Sequence, residues 1–321
     1  MKASVLLLLA LSAAGADAQS GGPPRRAHHA LAFDEAREKV VLTAGSTPHD
    51  GGSRFEFFND YWEFDGVRWT ARPSSGDQVS GIGLAFDSKR RQLVSFGGYR
   101  GSSLGDVRVR EGETWRPFDK HPEVSAAEPG FVYDTSRDRF ITFGGSAGRG
   151  AAHGDTWEFD GTAWTKLAVA GPPPRQAHVM VYDSGRKRTV VFGGMGAAVA
   201  GANRPNMLGD TWEFDGQRWT ALTLPGPGPR ISAGAAYDTK RGRLIVFGGM
   251  DSAGFKGDTW SYDGREWRKL SEEGPEPRAM GYLAYDRRRD RIVLFGGRRG
   301  WPDGDLGDTW EFDGVSWKKI E

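Results

Sequence analysis

The amino-acid sequence predicts an all-β fold, a six-bladed β-propeller with four antiparallel strands in each blade. Three observations indicate it. A segment close to GDTWEFDG occurs in six copies, an apolar run that ends in a glycine pair precedes five of them, and a tryptophan follows every copy. The copies are about 50 residues apart, and a four-stranded sheet repeated radially at such a period forms a propeller.

The six copies divide the chain into blades. The segment is degenerate, DVRVREG, only in the second blade; the copies lie at Asp60–Gly66, Asp106–Gly112, Gly154–Gly161, Gly209–Gly216, Gly257–Gly264 and Gly307–Gly314. The predicted blades are residues 26–72, 79–118, 126–168, 175–223, 230–271 and 278–321, after a short lead at 19–25. The chain enters at the first strand of blade 1 and leaves after the last strand of blade 6, so closure has to come from packing between these two blades.

Each blade is predicted to contain four short strands, A to D. Strand A ends at an aromatic residue followed by an aspartate, and an arginine three residues later can pair with that aspartate in the A–B turn. Strand B is an apolar run, such as Leu244–Phe247, continuous enough to be buried on both faces. Strand C alternates as Thr-Trp-Glu-Phe. The Asp-Gly pair after it predicts a type I′ hairpin turn, in which both central residues have positive φ.

The glycine pairs, the regularly spaced tryptophans and the period of ~50 residues resemble the kelch repeat, and the resemblance extends over all six units. It implies a kelch-type propeller, similar to the central domain of galactose oxidase, that binds peptides or sugars on the face formed by the B–C and D–A connections. The repeats favour the same face, because the B–C loops vary whereas the A–B and C–D turns are nearly uniform. Binding residues concentrate in variable loops on a rigid scaffold, so the opposite face is expected to be scaffold alone.

The composition excludes several classes of function. The chain has 43 basic and 42 acidic residues and a net charge of +1, so no overall field attracts nucleic acid or an anionic membrane. Cysteine is absent, which excludes disulfides, thiolate metal sites, cysteine nucleophiles and the cysteine–tyrosine copper site that the resemblance to galactose oxidase would imply. We expect neither a cofactor nor a metal site.

The first 18 residues predict a signal peptide. Lys2 precedes an apolar run from Val5 to Leu11, and Ala16-Asp17-Ala18 fits a small-residue cleavage site before Gln19. The apolar run is far shorter than the ~20 residues that span a bilayer. We therefore expect an exported protein, periplasmic or secreted, whose mature chain is a monomer that does not insert into a membrane.

One repeat position, seven residues before the aromatic residue of strand A, holds arginine in four blades: Arg26, Arg175, Arg230 and Arg278. Blades 2 and 3 have Val79 and Ala126 there. Because blades 4, 5, 6 and 1 are consecutive in a closed ring, the arginines are expected to form a basic arc near the channel mouth, with His29 and His178 beside them. Two interpretations are open: each arginine bridges blades or caps a loop carbonyl, or the arc binds a carboxylate or another anion.

Trp301 is the one tryptophan outside the repeat positions, and it stands between Gly300 and Pro302 in a charged loop. An exposed tryptophan commonly anchors a partner or stacks on a sugar ring. The alternative is a local hydrophobic plug over the blade. Further aromatic residues occupy comparable loops: Phe55, Phe57, Phe58 and Tyr99.

Together these features favour a binding module for a protein, peptide or glycan, with no catalytic residue assigned. The ligand-binding candidates are the four arginines, His29, His178 and Trp301. The alternative is a carbohydrate-active enzyme, a sugar mutarotase or isomerase resembling kelch-type sialate epimerases, which needs an acid–base pair at the channel mouth. Its candidates are Glu128, His29, His178 and the arginines, and convergence of Glu128 with a histidine would favour it.

Overall fold

The computed structural model describes residues 21–120, 123–148, 150–198, 206–301 and 304–320. Six antiparallel sheets follow one another along the chain, and each has the strand order A, B, C, D. The A strands of neighbouring blades face each other around a central channel. The predicted six-bladed β-propeller is confirmed, and the expected signal peptide at 1–18 lies outside the described residues.

The strands occupy equivalent ranges in the six blades. The A strands are Ala30–Asp34, Gly83–Asp87, Gly130–Asp134, Val179–Asp183, Gly234–Asp238 and Tyr282–Asp286. The B strands are Lys39–Thr43, Gln92–Phe96, Arg139–Phe143, Arg188–Gly196, Arg243–Phe247 and Arg291–Phe295. The C strands are Tyr61–Phe64, Asp106–Glu111, Thr156–Phe159, Met207–Phe214, Thr259–Tyr262 and Thr309–Phe312. The D strands are Trp69–Arg72, Thr114–Lys120, Trp164–Lys166, Trp219–Leu222, Trp267–Ser271 and Trp317–Ile320.

Short additional strands build up the B–C loops on one face. In blade 1 a hairpin of Ser46–His49 and Arg54–Phe57 is joined by a single 3-10 turn, Asp50–Gly52. Smaller hairpins stand on blade 3 (Ser146–Gly148 with Ala151–Ala152) and blade 5 (Met250–Asp251 with Gly254–Phe255), and Arg175–Gln176 pairs with the end of strand B in blade 4. The blade 4 loop is described only in part, because residues 199–205 are outside the described ranges.

The cores lie between neighbouring blades, and the same packing closes the ring. Strand B is buried as predicted, with Ile245 and Val246 at 0% exposure. Residues of blade 1 and blade 6 share one core, in which the ring of Trp69 lies 5.6 Å from that of Phe295. The Gly297 N–H of blade 6 donates to the Arg26 carbonyl of blade 1 (3.0 Å), as Gly145 does to Arg175 (2.9 Å) between blades 3 and 4. The closing seam therefore has the same hydrogen bonds as an interior seam.

The two kinds of turn on the opposite face differ in how well they were predicted. In the A–B turn of blade 1, Asp34 accepts hydrogen bonds from the Arg37 N–H (3.0 Å) and from its guanidinium (2.7 Å), which confirms the predicted aspartate–arginine pairing. The type I′ prediction for the C–D turn is wrong. Strand C ends at Phe64 and strand D begins at Trp69, so the loop has four residues. The Asp65 carboxylate accepts from the N–H groups two and three residues later, and the following Gly66 has a φ of +100°.

Candidate functional site

A pocket of about 550 Å³ opens on the B–C/D–A face, and all six blades contribute to its wall. We call it the axial pocket. Its floor is formed by the D–A connections, which reach the axis before each strand A begins. Its side walls are B–C loops of blades 1, 2, 3, 5 and 6. The B–C loops of five blades therefore surround one cavity.

A ring of six equivalent residues, one from each blade, surrounds the axis at this floor. All six have a positive φ between 51° and 61°: His28, Gly81, Glu128, Ala177, Ser232 and Met280. The Gly81 N–H donates to the His28 carbonyl (2.7 Å) and the Glu128 N–H to the Gly81 carbonyl (2.8 Å), so the left-handed conformation belongs to the architecture. A side chain in this conformation costs on the order of 1 kcal/mol. His28 and Glu128 are thus held in place although glycine would be less strained.

His28 of blade 1 and Glu128 of blade 3 meet at this floor, with His28 Nδ1 hydrogen-bonded to Glu128 Oε1. The contact is possible because blade 2 has Gly81 between them: a Cβ there would lie 3.0 Å from Glu128 Cγ. Burial acts to raise the pKa of Glu128, but His28 and His178 outweigh it and hold that pKa below its usual value. The floor therefore presents a carboxylate and an imidazole side by side, each about one-fifth exposed.

An aromatic wall rises from blades 6, 1 and 2 beside this pair. The Trp301 ring lies 5.7 Å from that of Phe55, the rings of Phe55 and Phe57 are 6.5 Å apart, and Phe57 is 6.4 Å from Tyr99. Trp301 is 59% exposed, and Phe55 and Tyr99 are 41% exposed. We call these four residues the aromatic arc. All four residues line the pocket and three of them are exposed, so the arc is available for stacking.

The loop that carries Trp301 is held from below by a buried ion pair. Arg298 donates to Asp305 through Nε (2.5 Å) and Nη2 (3.2 Å), and its guanidinium carbon is 4.9 Å from the centre of the Trp301 ring. A cation over an indole face is attracted to it. Trp301 therefore keeps a defined orientation although it is exposed.

The four arginines of the predicted arc are placed away from the axial pocket and are buried, each no more than 3% exposed. Each guanidinium is bidentate to an aspartate of its own blade: Asp60, Asp210, Asp258 and Asp308. Each also donates to a backbone carbonyl at the end of strand B, as Arg175 does to Gly193 (2.9 Å). This geometry matches the first of the two interpretations, the capping of loop carbonyls. An anion would have to displace an aspartate to reach these groups.

His29 and His178 come directly before strand A in blades 1 and 4, and their rings pack against aromatic side chains. The preceding residues, His28 and Ala177, belong to the ring at the floor of the pocket. The His29 ring packs edge-on against Tyr282 (5.3 Å) and Phe295 (5.6 Å). His178 packs against Phe143 (5.7 Å) and lines the narrow channel below the floor. Burial, with Arg26 and His28 adding to it, lowers the pKa of His29 well below its usual value. Burial and Arg175 lower the pKa of His178 to about 3, with Glu128 opposing them.

The histidine that contacts Glu128 is therefore His28, which sequence reasoning passed over in favour of its neighbour. A signal was available: two residues after the arginine position, the repeats read His, Gly, Glu, Ala, Ser and Met, and only two of these are ionisable. Among the described residues, no group of three or more histidine, aspartate or glutamate side chains could hold a metal ion. No helix within the described ranges has the length and apolar character needed to cross a bilayer.

No family model matches the chain. The dynein alpha chain of the flagellar outer arm from Chlamydomonas reinhardtii is 27% identical over 151 residues. The match covers 44% of this chain but 3% of the dynein chain, so this protein corresponds to a small part of that relative. The likeness lies below the level that would assign a family.

Proposed function

We propose that the protein is an interaction module that binds a glycan, or a peptide with similar surface chemistry, in the axial pocket. The observation that carries the proposal is the aromatic arc beside the His28–Glu128 pair in one cavity of about 550 Å³. A sugar ring has an apolar C–H face that stacks on aromatic side chains and hydroxyl groups that bond to a carboxylate or an imidazole. An aromatic wall above a polar floor offers both kinds of contact.

The finer features of the proposal rest on the sequence. The glycine pairs and the tryptophan spacing support a propeller of the kelch type, and the pattern of residues 1–18 supports export to the periplasm or outside the cell. N-terminal sequencing of the mature chain tests the export. A chain that begins at Gln19 supports it, and a chain that retains Met1 or Lys2 in its final location contradicts it.

Binding is tested with a panel of neutral and acidic oligosaccharides and unstructured peptides, followed by isothermal titration calorimetry. Trp301→Ala and Phe55→Ala are expected to weaken binding at least tenfold, because both remove stacking surface from the arc. Val315→Ala is the control, since Val315 is 78% exposed in the C–D turn of blade 6, on the opposite face. Binding that is unchanged in both arc variants, or no binding by any member of the panel, would overturn the proposal.

A second candidate, a sugar mutarotase or isomerase, is favoured by one observation, the convergence of Glu128 with His28. One group of such a pair takes the proton from an anomeric hydroxyl while the other protonates the ring oxygen, which opens the ring without a cofactor. NMR exchange spectroscopy on the sugars that bind distinguishes the candidates. The enzyme is supported if the protein accelerates exchange between the anomers and if Glu128→Gln abolishes that acceleration while binding is retained. Binding without acceleration of the exchange supports the interaction module and contradicts the enzyme.

A further inference from the structure

The face opposite the axial pocket contains one seam that departs from the repeat. In strand C the residue opposite the tryptophan of strand D is aromatic in five blades: Phe64, Phe159, Phe214, Tyr262 and Phe312. In blade 2 the residue paired with Trp115 is Arg110. A guanidinium thus occupies a position that elsewhere holds a ring in the core between two blades.

The seam between blades 4 and 5 shows an arrangement of arginine, glutamate and aromatic ring that recurs at two other seams. Arg186 from the A–B turn of blade 4 lies over the Tyr262 ring of blade 5, at 5.4 Å, and donates to Glu213 at 2.6 Å. The seams between blades 3 and 4 and between blades 6 and 1 are built in the same way, with an arginine over a phenylalanine. In each of them the cation has both a carboxylate and an aromatic face.

Between blades 1 and 2 two arginines meet instead. Arg37 is the A–B arginine of blade 1, and its Nε is 3.7 Å from Glu63, an ion-pair contact without a hydrogen bond. Glu63 accepts from Arg72 instead, at 2.9 Å. The positive charge of Arg37 acts unfavourably on Arg110, which faces it across the seam. No acidic side chain among the described residues is within ion-pair distance of Arg110.

Arg110 is 5% exposed and only partly satisfied. Its guanidinium carbon lies 3.5 Å from the centre of the Tyr61 ring, and Nη2 donates to the Pro73 carbonyl at 3.1 Å. Its Nε and Nη1, like the hydroxyl of Tyr61, are buried and have no hydrogen-bond partner within the described ranges. A buried donor without a partner costs about 1–3 kcal/mol, and such donors normally have one. Burial lowers the pKa of Arg110.

A cavity of about 460 Å³ opens at this seam, and Arg110 forms part of its wall. We call it the seam cavity. Its charged lining consists of four cationic side chains and two carboxylates: Arg37, Lys39, Arg72, Arg110, Glu63 and Glu113. The lining has an excess of positive charge although the whole chain is close to neutral. Positive charge in a partly enclosed cleft attracts anions more strongly than the same charge on an open surface.

We propose that the seam cavity binds a tetrahedral oxyanion, a phosphate or sulfate group, beside the incompletely satisfied guanidinium of Arg110 in its wall. Arg37, Lys39 and Arg72 supply further positive charge at the mouth. The oxyanion separates the two arginines that meet here. Arginine suits this role because its planar group presents several donors in fixed directions. The group is either a free inorganic ion or an ester on a larger ligand.

The test uses Arg110→Phe, which restores the residue type of the other blades. The unfolding midpoint of the full chain is measured against increasing inorganic phosphate and, separately, a sugar phosphate, with sodium chloride at equal ionic strength as the reference. The wild-type midpoint is expected to rise and saturate with phosphate by mass action. In Arg110→Phe the apparent dissociation constant is expected to rise at least tenfold. Saturation by inorganic phosphate indicates a free ion, and saturation by the sugar phosphate alone indicates an ester; both support the site.

Two controls separate this site from general salt effects and from the axial pocket. Arg218→Gln removes one positive charge from a side chain that is 80% exposed in blade 4, and it should leave the phosphate response unchanged. Trp301→Ala should leave it unchanged as well, so failure of the axial-pocket proposal does not affect this test. If Arg110→Phe does not fold, Lys39→Gln is titrated by ³¹P NMR line broadening, with a threefold or larger weakening expected. Equal phosphate responses in the wild type and the seam variants, or no saturable response, would overturn the proposal.

Discussion

Blades 4 and 3 have the same four strands but anchor their inner ends differently. In blade 4, Arg175 is buried and bidentate to Asp210, at 2.7 and 2.9 Å. Blade 3 has Ala126 at that position, and its corresponding aspartate, Asp155, is half-exposed and bonded to Lys166 at 2.7 Å. The backbone does not change: the Ala126 carbonyl still accepts from the preceding blade, at 2.8 Å. The difference is confined to the side chains.

The six blades fall into two groups according to whether they contain this buried arginine. Blades 1, 4, 5 and 6 contain a buried arginine paired with an aspartate, whereas Gly81, Glu128 and Arg110, three residues that depart from the repeat, lie in blades 2 and 3. A charged side chain that recurs with its partner is part of the scaffold. A charged side chain that replaces the repeat residue in one blade marks a candidate site. Recurrence thus distinguishes charged residues of the scaffold from charged residues that are candidates for a functional site.

The largest expected effect comes from breaking the arginine–aspartate pair that recurs in blades 1, 4, 5 and 6. Arg175→Met removes the cation that is bidentate to Asp210, and we expect a loss of about 2–3 kcal/mol in the free energy of unfolding, measured by urea titration. The loss stays below that of a fully buried pair because the Asp210 side chain is 36% exposed. The matched variant in the irregular blade is Lys166→Met, which breaks an exposed pair and should cost less than about 1 kcal/mol. Similar losses in the two variants would contradict the distinction between the blades.

The second effect is a loss of stability at low pH that depends on His29 and His178, which follow the buried arginines of blades 1 and 4. His29 and His178 are buried in blades 1 and 4, where blades 2 and 3 have Ile82 and Pro129. The pKa of each is lowered in the folded state by burial and by the adjacent arginine, whereas in the unfolded chain it is about 6.5. As the pH falls below 6.5, the unfolded state binds protons that the folded state does not. Stability is therefore fully present above pH 6.5 and decreases toward lower pH.

The expected loss is about 1.4 kcal/mol per pH unit for each histidine, down to the pKa of the folded state. Urea unfolding at pH 7, 6 and 5 measures it. His178→Leu should reduce the slope by about 1.4 kcal/mol per pH unit, the contribution of one histidine, because leucine does not titrate. A slope that is unchanged in His178→Leu would show that the acid sensitivity arises elsewhere.

The repeat made the scaffold predictable from sequence. Glycine pairs, strand B runs and the aspartate–arginine turns each follow from local steric or hydrogen-bonding requirements that recur in all or nearly all blades. The type I′ prediction failed because the aspartate carboxylate bonds to the backbone beyond the glycine and lengthens the loop, which the Asp-Gly pair alone does not indicate. Trp301 was singled out correctly as exposed, since a charged loop with flanking glycine and proline cannot bury it.

The candidate site was less predictable because its contacts are distant in sequence. His28 and Glu128 are in different blades, and their contact depends on the absence of a side chain at Gly81 in the blade between them. The arginine arc appeared as a possible anion site because its aspartate partners lie in strand C segments that also recur in blades without the arginine. Because the aspartate is present in all six blades and the arginine in four, a comparison of the repeats does not reveal the pairing.

The smallest expected effect concerns a hydrogen bond that joins neighbouring blades. The indole N–H of Trp219 in blade 4 donates to Thr156 Oγ1 in blade 3, at 2.9 Å, and the same bond recurs at three further seams. Blades 1 and 2 have Tyr61 and Val107 at the threonine position. Thr156→Val keeps the shape but removes the acceptor, so it should cost about 1 kcal/mol. Thr165→Val, at an exposed position of the same blade, should cost less. Trp219→Phe removes the indole N–H, so the effect of Thr156→Val should disappear in that background. If the loss persists there, the hydrogen bond is not its cause, and the seams with the threonine differ from those without it in packing alone.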